Sequence, residues 1–293
     1  MADTLRDRLR SDTLVLLDGA TGTELDRRGV DISLPLWSAR ALLEAPDVLR
    51  HIHADYVAAG AEIVTANTFR THARSLERAG LAGRAAELTA LAVRIARDAA
   101  AGCAFVLGSQ APLEDCYAPD LVPDDGTLAR EHAAMAANLA AAGVDGVLVE
   151  THNTIREAVA AVRAAAGAGL LTLVSFVCGR DGRLLSGETI THAAQAVFPF
   201  RPAAVLINCT PAPSTVAPLR ELHRAVGDLP VGAYANVGEH DPERGWIPTD
   251  AVFPERYAEY AAQWRQAGAT LIGGCCGTTP EHIRCLRELL GQP

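Results

Sequence analysis

Eight short apolar runs recur along these 293 residues, and each is continuous rather than alternating. They are LVLLDGA (14–20), AEIVTANTF (61–69), CAFVLGSQA (103–111), GVLVET (146–151), LTLVSFVC (171–178), AVLINCT (204–210), PVGAYANV (230–237) and ATLIGGCCG (269–277). A strand that buries one face alternates apolar with polar residues, whereas an uninterrupted run suits a parallel sheet covered on both sides. Amphipathic Ala/Leu/Arg stretches separate the runs, such as PDVLRHIHADYVAAG after the first and TPEHIRCLRELL after the last. In the latter, Thr279 is placed to cap a helix whose first position is Pro280. Eight strand–helix alternations predict an α/β fold, a single (β/α)8 TIM barrel domain over 1–293, with its active site at the C-terminal ends of the strands. An open doubly wound sheet is the other arrangement, but neither GxGxxG nor a phosphate-binding loop follows the first run.

Charge and cysteine usage narrow the partners. With 35 acidic against 26 basic residues, the net charge of −9 repels polyanions, which argues against nucleic acid and anionic membrane. The opening MADTLRDRLRSDTLVLLDGA has no signal-like or membrane-spanning stretch, which implies a cytoplasmic location. Seven cysteines there are expected to be reduced, and an odd number does not suit a disulfide framework.

If the strands are placed correctly, polar residues collect at their C-terminal ends: Asp18, Asn67 and Thr68, Glu150 and Thr151, Asn208 and Cys209, Asn236, and Cys275 with Cys276. In a barrel all these ends open on one face. Adjacent residues of a regular strand point to opposite faces. Gly273, Gly274 and Gly277 around the cysteine pair allow the backbone to leave that geometry and turn both sulfurs to one point. Cys209, two strands earlier, completes a set of three, and three thiolate ligands with one open tetrahedral position mark a catalytic zinc site. Two segments are long for barrel connections, 111–126 (APLEDCYAPDLVPDDG) and 238–250 (GEHDPERGWIPTD), and loops of that length are usually functional.

The set DGATGT (18–23), NTF (67–69), ET (150–151), INC (207–209) and GGCCG (273–277) resembles the homocysteine S-methyltransferase family over roughly residues 14–290. Two further stretches, 36–64 and 234–241, are similar to its S-methylmethionine branch. The resemblance implies a TIM barrel, zinc held by Cys209, Cys275 and Cys276, and transfer of a methyl group to homocysteine from S-methylmethionine or a related sulfonium. It also implies that Asp18 and Glu150 are the catalytic acids that hold the ammonium of the amino-acid thiol.

The other residues fall into place around that expectation. Backbone N–H groups of Gly19, Ala20 and Thr21 suit the substrate carboxylate. Asn67 and Thr151 complete the candidate substrate-binding set. Asn236 is a candidate for the fourth metal position before the thiol arrives, and Glu239 can face a cationic donor. Tyr117 is a candidate wall for that donor, since aromatic rings attract onium methyl groups. Cys103, Cys178 and Cys285 read as packing residues, Cys116 as an incidental thiol, and His152 as a solvated loop residue. The loop SQAPLEDCYAPDLVP does not resemble its counterpart in the S-methylmethionine or the betaine branch. Two other functions remain open at this point: the acceptor half of a corrinoid- or methylfolate-dependent pair, and a non-catalytic zinc- or thiol-sensing barrel.

Overall fold

All eight runs form parallel strands, and the order in which they pair puts every C-terminal end on one side. The computed structural model describes residues 4–11, 13–241 and 244–290. The barrel strands are β1 (Val15–Leu16), β2 (Ile63–Ala66), β3 (Phe105–Gln110), β4 (Gly146–His152), β5 (Thr172–Phe176), β6 (Ala204–Pro211) and β7 (Val231–Asn236). A short hairpin, β8 (Gly238–Asp241) with β9 (Gly245–Pro248), precedes the last barrel strand, β10 (Ala269–Gly274). The sheet runs β1-β10-β7-β6-β5-β4-β3-β2, and a parallel bridge between Leu17 and Ile63 joins its two edges. Two backbone bonds reinforce that seam, Asp18 N–H to the Ile63 carbonyl (2.9 Å) and Glu62 N–H to the Leu16 carbonyl (2.8 Å).

Side chains on each strand alternate between the barrel interior and the helices outside. Outward Val147, Val149, Val174, Val205 and Ile207 join the large core beneath the helices, whereas inward Leu107, Leu148, Leu173, Leu206 and Leu271 pack with one another. Following the inward positions along a strand gives a gradient. β3 reads Phe105, Leu107, Ser109; β4 reads Gly146, Leu148, Glu150; β6 reads Ala204, Leu206, Asn208. The barrel is therefore apolar at its N-terminal end and polar at its C-terminal end. A short helix, Leu5–Leu9, buries Leu5 and Leu9 against the apolar end and closes it.

Three expectations need correction. Segment 238–250 is not an irregular loop, because Gly238–Asp241 pairs with Gly245–Pro248 in the β8–β9 hairpin; Pro242 and Glu243 within it lie outside the described residues. His152 is not solvated: it ends β4 and is fully buried. Cys103 does not pack in the core but is exposed, whereas Cys178 is buried and Cys285 packs against the core cluster. The termini of the expected 1–293 domain, residues 1–3 and 291–293, and Asp12 also lie outside the described residues. Among the described residues no helix is long and apolar enough to cross a membrane.

Candidate functional site

The polar end of the barrel opens into a cavity of about 770 Å³. It is lined by Asp18 to Thr23, Asn67, Phe69, Ser109, Asp115 to Tyr117, Glu150, Thr151, Cys209, Tyr234, Trp246 and Gly274 to Gly277, among others. The ligand atoms of Cys209, Cys275 and Cys276 lie within 4.8 Å of one another, and among the described residues they form the one cluster of metal-capable side chains that converges in this way. Cys209 Sγ and Cys275 Sγ are 2.7 Å apart, and all three cysteines are free thiols. Hydrogen bonds from Cys209 and Cys275 hold Cys276 below the ordinary thiol range. Three converging soft sulfur donors fit a zinc-type cation with a position to spare.

Local backbone geometry brings these sulfurs together. β10 ends at Gly274, and Cys275–Cys276 follow in a turn closed by the Thr278 N–H on the Cys275 carbonyl (3.0 Å). Gly277 has φ of 83°, in the left-handed region, and a Cβ on Gly274 would meet Thr278 Oγ1 at 2.3 Å, so both positions demand glycine. Cys209 is also left-handed, at φ of 49°, and so is Thr151, at φ of 63°. For a β-branched threonine that is a true outlier, and such strain collects at functional sites. Both residues sit where the ladder slips, between Val149 and His152 on the β4–β5 pairing and between Asn208 and Pro211 on the β6–β7 pairing. These irregularities re-aim side chains at the strand ends.

Two carboxylates face the sulfurs. Asp18 accepts hydrogen bonds from the Thr65 N–H (2.8 Å) and Thr65 Oγ1 (3.3 Å). Burial, and then the charge of Glu150, push its pKa up to about 8. Glu150 accepts from Ser109 Oγ and from Tyr234 OH (3.1 Å), and burial pushes its pKa up to about 7. Both acids thus lack the countercharge that would hold them ionised, which a bound ammonium would provide. A polar strut runs on from Glu150 to the sulfurs. Tyr234 OH meets Ser175 Oγ at 2.5 Å, Ser175 Oγ donates to Asn208 Oδ1 at 2.8 Å, and Asn208 Nδ2 donates to Thr151 Oγ1 (2.7 Å) and Cys209 Sγ (3.4 Å).

The remaining expected residues divide. Gly19, Ala20 and Thr21 line the cavity, with the Ala20 N–H donating to Thr278 Oγ1 (3.1 Å). Asn67 lines it too and donates from Nδ2 to the Ser38 carbonyl (2.8 Å). Asn236 is placed as a brace: its Nδ2 donates to the Cys209 carbonyl (2.9 Å) and its Oδ1 accepts from the Cys276 N–H (3.0 Å). Glu239 forms an ion pair with Arg180, away from the cavity-lining residues. Sequence reasoning missed Ser109 and Tyr234 as partners of Glu150, and Ser175 as the link from Tyr234 to Asn208, although their position at the polar end of inward-facing registers could have shown them.

A sequence profile of the homocysteine S-methyltransferase family matches residues 15–290. The homocysteine S-methyltransferase of Escherichia coli (strain K12) is 34% identical over 309 residues, covering 97% of each chain. The homocysteine S-methyltransferase YbgG of Bacillus subtilis is 31% identical over 295 residues, covering 92% of each. In three dimensions the fold is similar to the metallated form of the homocysteine methyltransferase MmuM from Escherichia coli, with a TM-score of 0.85, 29% identity, and 98% and 99% of the two chains covered.

Proposed function

This chain belongs to the homocysteine S-methyltransferase family, and from that premise we propose that it carries a methyl group from S-methylmethionine, or a related sulfonium, to homocysteine, with zinc as cofactor. One observation carries the reading: three converging sulfurs face two buried carboxylates across one cavity. Cys209, Cys275 and Cys276 would hold the ion. When bound, it supplies the means to remove the proton of a substrate thiol at neutral pH. The chain's own residues do the rest. Asp18 and Glu150 bind the ammonium, and the turn at Gly19, Ala20 and Thr21 receives the carboxylate. Asn67 and Thr151 border the substrate, and Asn236 holds the two cysteine segments in register.

In the transfer, a lone pair of the homocysteine thiolate forms the new S–CH3 bond. The donor's S–CH3 bond breaks, and its electron pair stays on the donor sulfur, which leaves as a neutral thioether. Trp37, Phe69, Tyr117 and Trp246 line the cavity and suit a cationic donor, because aromatic faces attract onium groups. Glu239 is engaged by Arg180 and is not needed for that task. We further infer one barrel domain working in the cytosol, where its thiols stay reduced. The relatives named for the complete reaction match the chain end to end, which does not favour an acceptor subunit or a sensor. The test is turnover with homocysteine and a panel of free methyl donors, alongside metal analysis. Methionine formation with a sulfonium and about one zinc per chain is expected; no product with any free donor would sink the reading.

A further inference from the structure

The loop after β3 forms one wall of the cavity through Asp115, Cys116 and Tyr117. A wall made of loop must find partners for its main-chain polar groups. One five-residue segment, starting just after the end of β4, supplies them. Asn153 Nδ2 donates to the Cys116 carbonyl (2.9 Å) and reaches that of Asp115 (3.5 Å). Glu157 Oε1 accepts from the Leu113 N–H (2.8 Å). Arg156 donates to the carbonyls of Pro123 (2.7 Å) and Val122 (3.1 Å) and to Asp125 Oδ1 (3.0 Å). The loop is thus gripped near its start, at its cavity-facing middle and at its far end, all from residues 153–157.

The grip has an unusual interior. Asn153 and Glu157 are fully buried, as are Gln110, His132 and His152 behind them. His132 Nε2 meets Glu157 Oε1 at 3.3 Å, and Gln110 Nε2 meets His132 Nδ1 at 3.2 Å. The rings of His132 and His152 are centred 5.8 Å apart. Yet Gln110 Oε1, Asn153 Oδ1, Glu157 Oε2 and both ring nitrogens of His152 make no well-formed hydrogen bond to protein. Unpaired buried polar atoms are rare and costly, and several of them gather behind this grip. The ligand atoms here do not converge as the three cysteines do, so a metal is not indicated among the described residues.

We propose that Asn153 and Glu157 are positioning residues, which set the wall Asp115–Tyr117 over the sulfur cluster and thereby fix the affinity for the methyl donor. The assignment to the donor rests on the methyl-transfer reading above. With Asp18 and Glu150 committed to the ammonium of the thiol substrate, the reacting partner must lie between the sulfurs and another wall. Tyr117 lines the same cavity as Cys209, Cys275 and Cys276, so this wall faces the space beside the sulfurs.

The test uses the full-length, metal-loaded enzyme with S-methylmethionine as donor. Asn153→Leu and Glu157→Leu each remove a loop partner, whereas Glu157→Gln keeps an acceptor for the Leu113 N–H. The two leucine variants are expected to raise the donor KM by about tenfold, the loss of one buried hydrogen bond. The homocysteine KM and the metal content stay unchanged, and Glu157→Gln restores most of the donor affinity. Hydrogen exchange over residues 113–123 should quicken in parallel. If the buried variants do not fold, Arg156→Ala tests the far end, since that side chain is half exposed. A smaller rise in donor KM with faster exchange near Val122 supports the proposal. Equal rises in both KM values, or no change in donor KM with a folded variant, overturn it. A wild type that methylates no thiol sinks the parent reading and the donor assignment with it. Exchange then judges the grip by itself, and an unchanged rate in Asn153→Leu overturns that as well.

Discussion

The two ends of this barrel are built to opposite rules. At the N-terminal end, Leu5 and Leu9 plug a layer of Phe105, Leu171, Ala203 and Ala204, and the neighbouring charges pair off, with Arg8 bonded to both oxygens of Glu62 (2.7 and 2.8 Å). At the C-terminal end the β-branched Thr151 sits in a left-handed conformation, two carboxylates are buried without a countercharge, and a group of buried polar atoms goes unpaired. Each of those features costs folding free energy, of order 1–3 kcal/mol for a strained residue or an unpaired buried polar group. One end stabilises the other, and the contrast locates function without reference to any relative.

If that division is real, substitutions at the two ends should move different observables. Cys276→Ser should have the largest effect, removing most of the bound metal and lowering kcat by about a thousandfold or more. Full metal occupancy in that variant would break the ligand assignment. Leu9→Ala at the opposite end should destabilise by about 2–4 kcal/mol in denaturant melts. The folded Leu9→Ala enzyme should keep its kcat, and a matching loss of activity would dissolve the contrast. Glu150→Gln should raise the homocysteine KM by about tenfold, with metal retained; loss of metal instead would place Glu150 on the ion.

The pH response is the next, smaller signature. Asp18 at about 8 and Glu150 at about 7 titrate above ordinary carboxyl groups. At these two sites the folded, metal-free protein holds more protons than the unfolded chain between roughly pH 4 and 8. Their contribution to stability therefore falls as pH rises through that window, against the opposite contribution of His53, His72 and His152, whose burial lowers their pKa. Calorimetry should show the melting temperature of the wild type falling relative to that of an Asp18→Asn, Glu150→Gln variant from pH 5.5 to 8.5. A difference between the two proteins that does not change with pH would show both acids to be ionised already. The smallest effect belongs to Arg180→Ala. Its partner Glu239 lies outside the cavity lining and the Arg180 side chain is 74% exposed, so less than about 0.5 kcal/mol of stability and no change in donor KM are expected.

The architecture was legible because it is written in continuous apolar runs: each of the eight contains one parallel strand or overlaps it, although the first, 14–20, keeps only Val15–Leu16 as strand. The convergence of Cys209 with Cys275 and Cys276 was also readable, since glycines bracket the pair and strand order places Cys209 on the same face. What escaped was geometry that depends on tertiary pairing. Nothing in a threonine announces φ of 63°, and a slipped ladder leaves no mark in one strand's residues. His152 illustrates the same blindness. It follows Glu150 and Thr151 at the end of an apolar run and reads as a loop residue, yet two helices bury it. Segment 238–250 hid its hairpin because Gly, Pro and charged residues mask the pairing of His240 with Trp246.

The plug formed by Leu5 and Leu9 also decides traffic. A barrel stoppered at one end offers its reactants and products the same doorway. Asp18 and Glu150, proposed to hold the ammonium of the thiol substrate, lie deep, at 5% and 8% exposure, whereas Leu34 and Trp246 at the rim are 72% and 43% exposed. The inner guest must therefore arrive first and depart last, and an outer guest that arrives early bars the way. Steady-state kinetics should follow a compulsory order, with inhibition by excess donor as its sign.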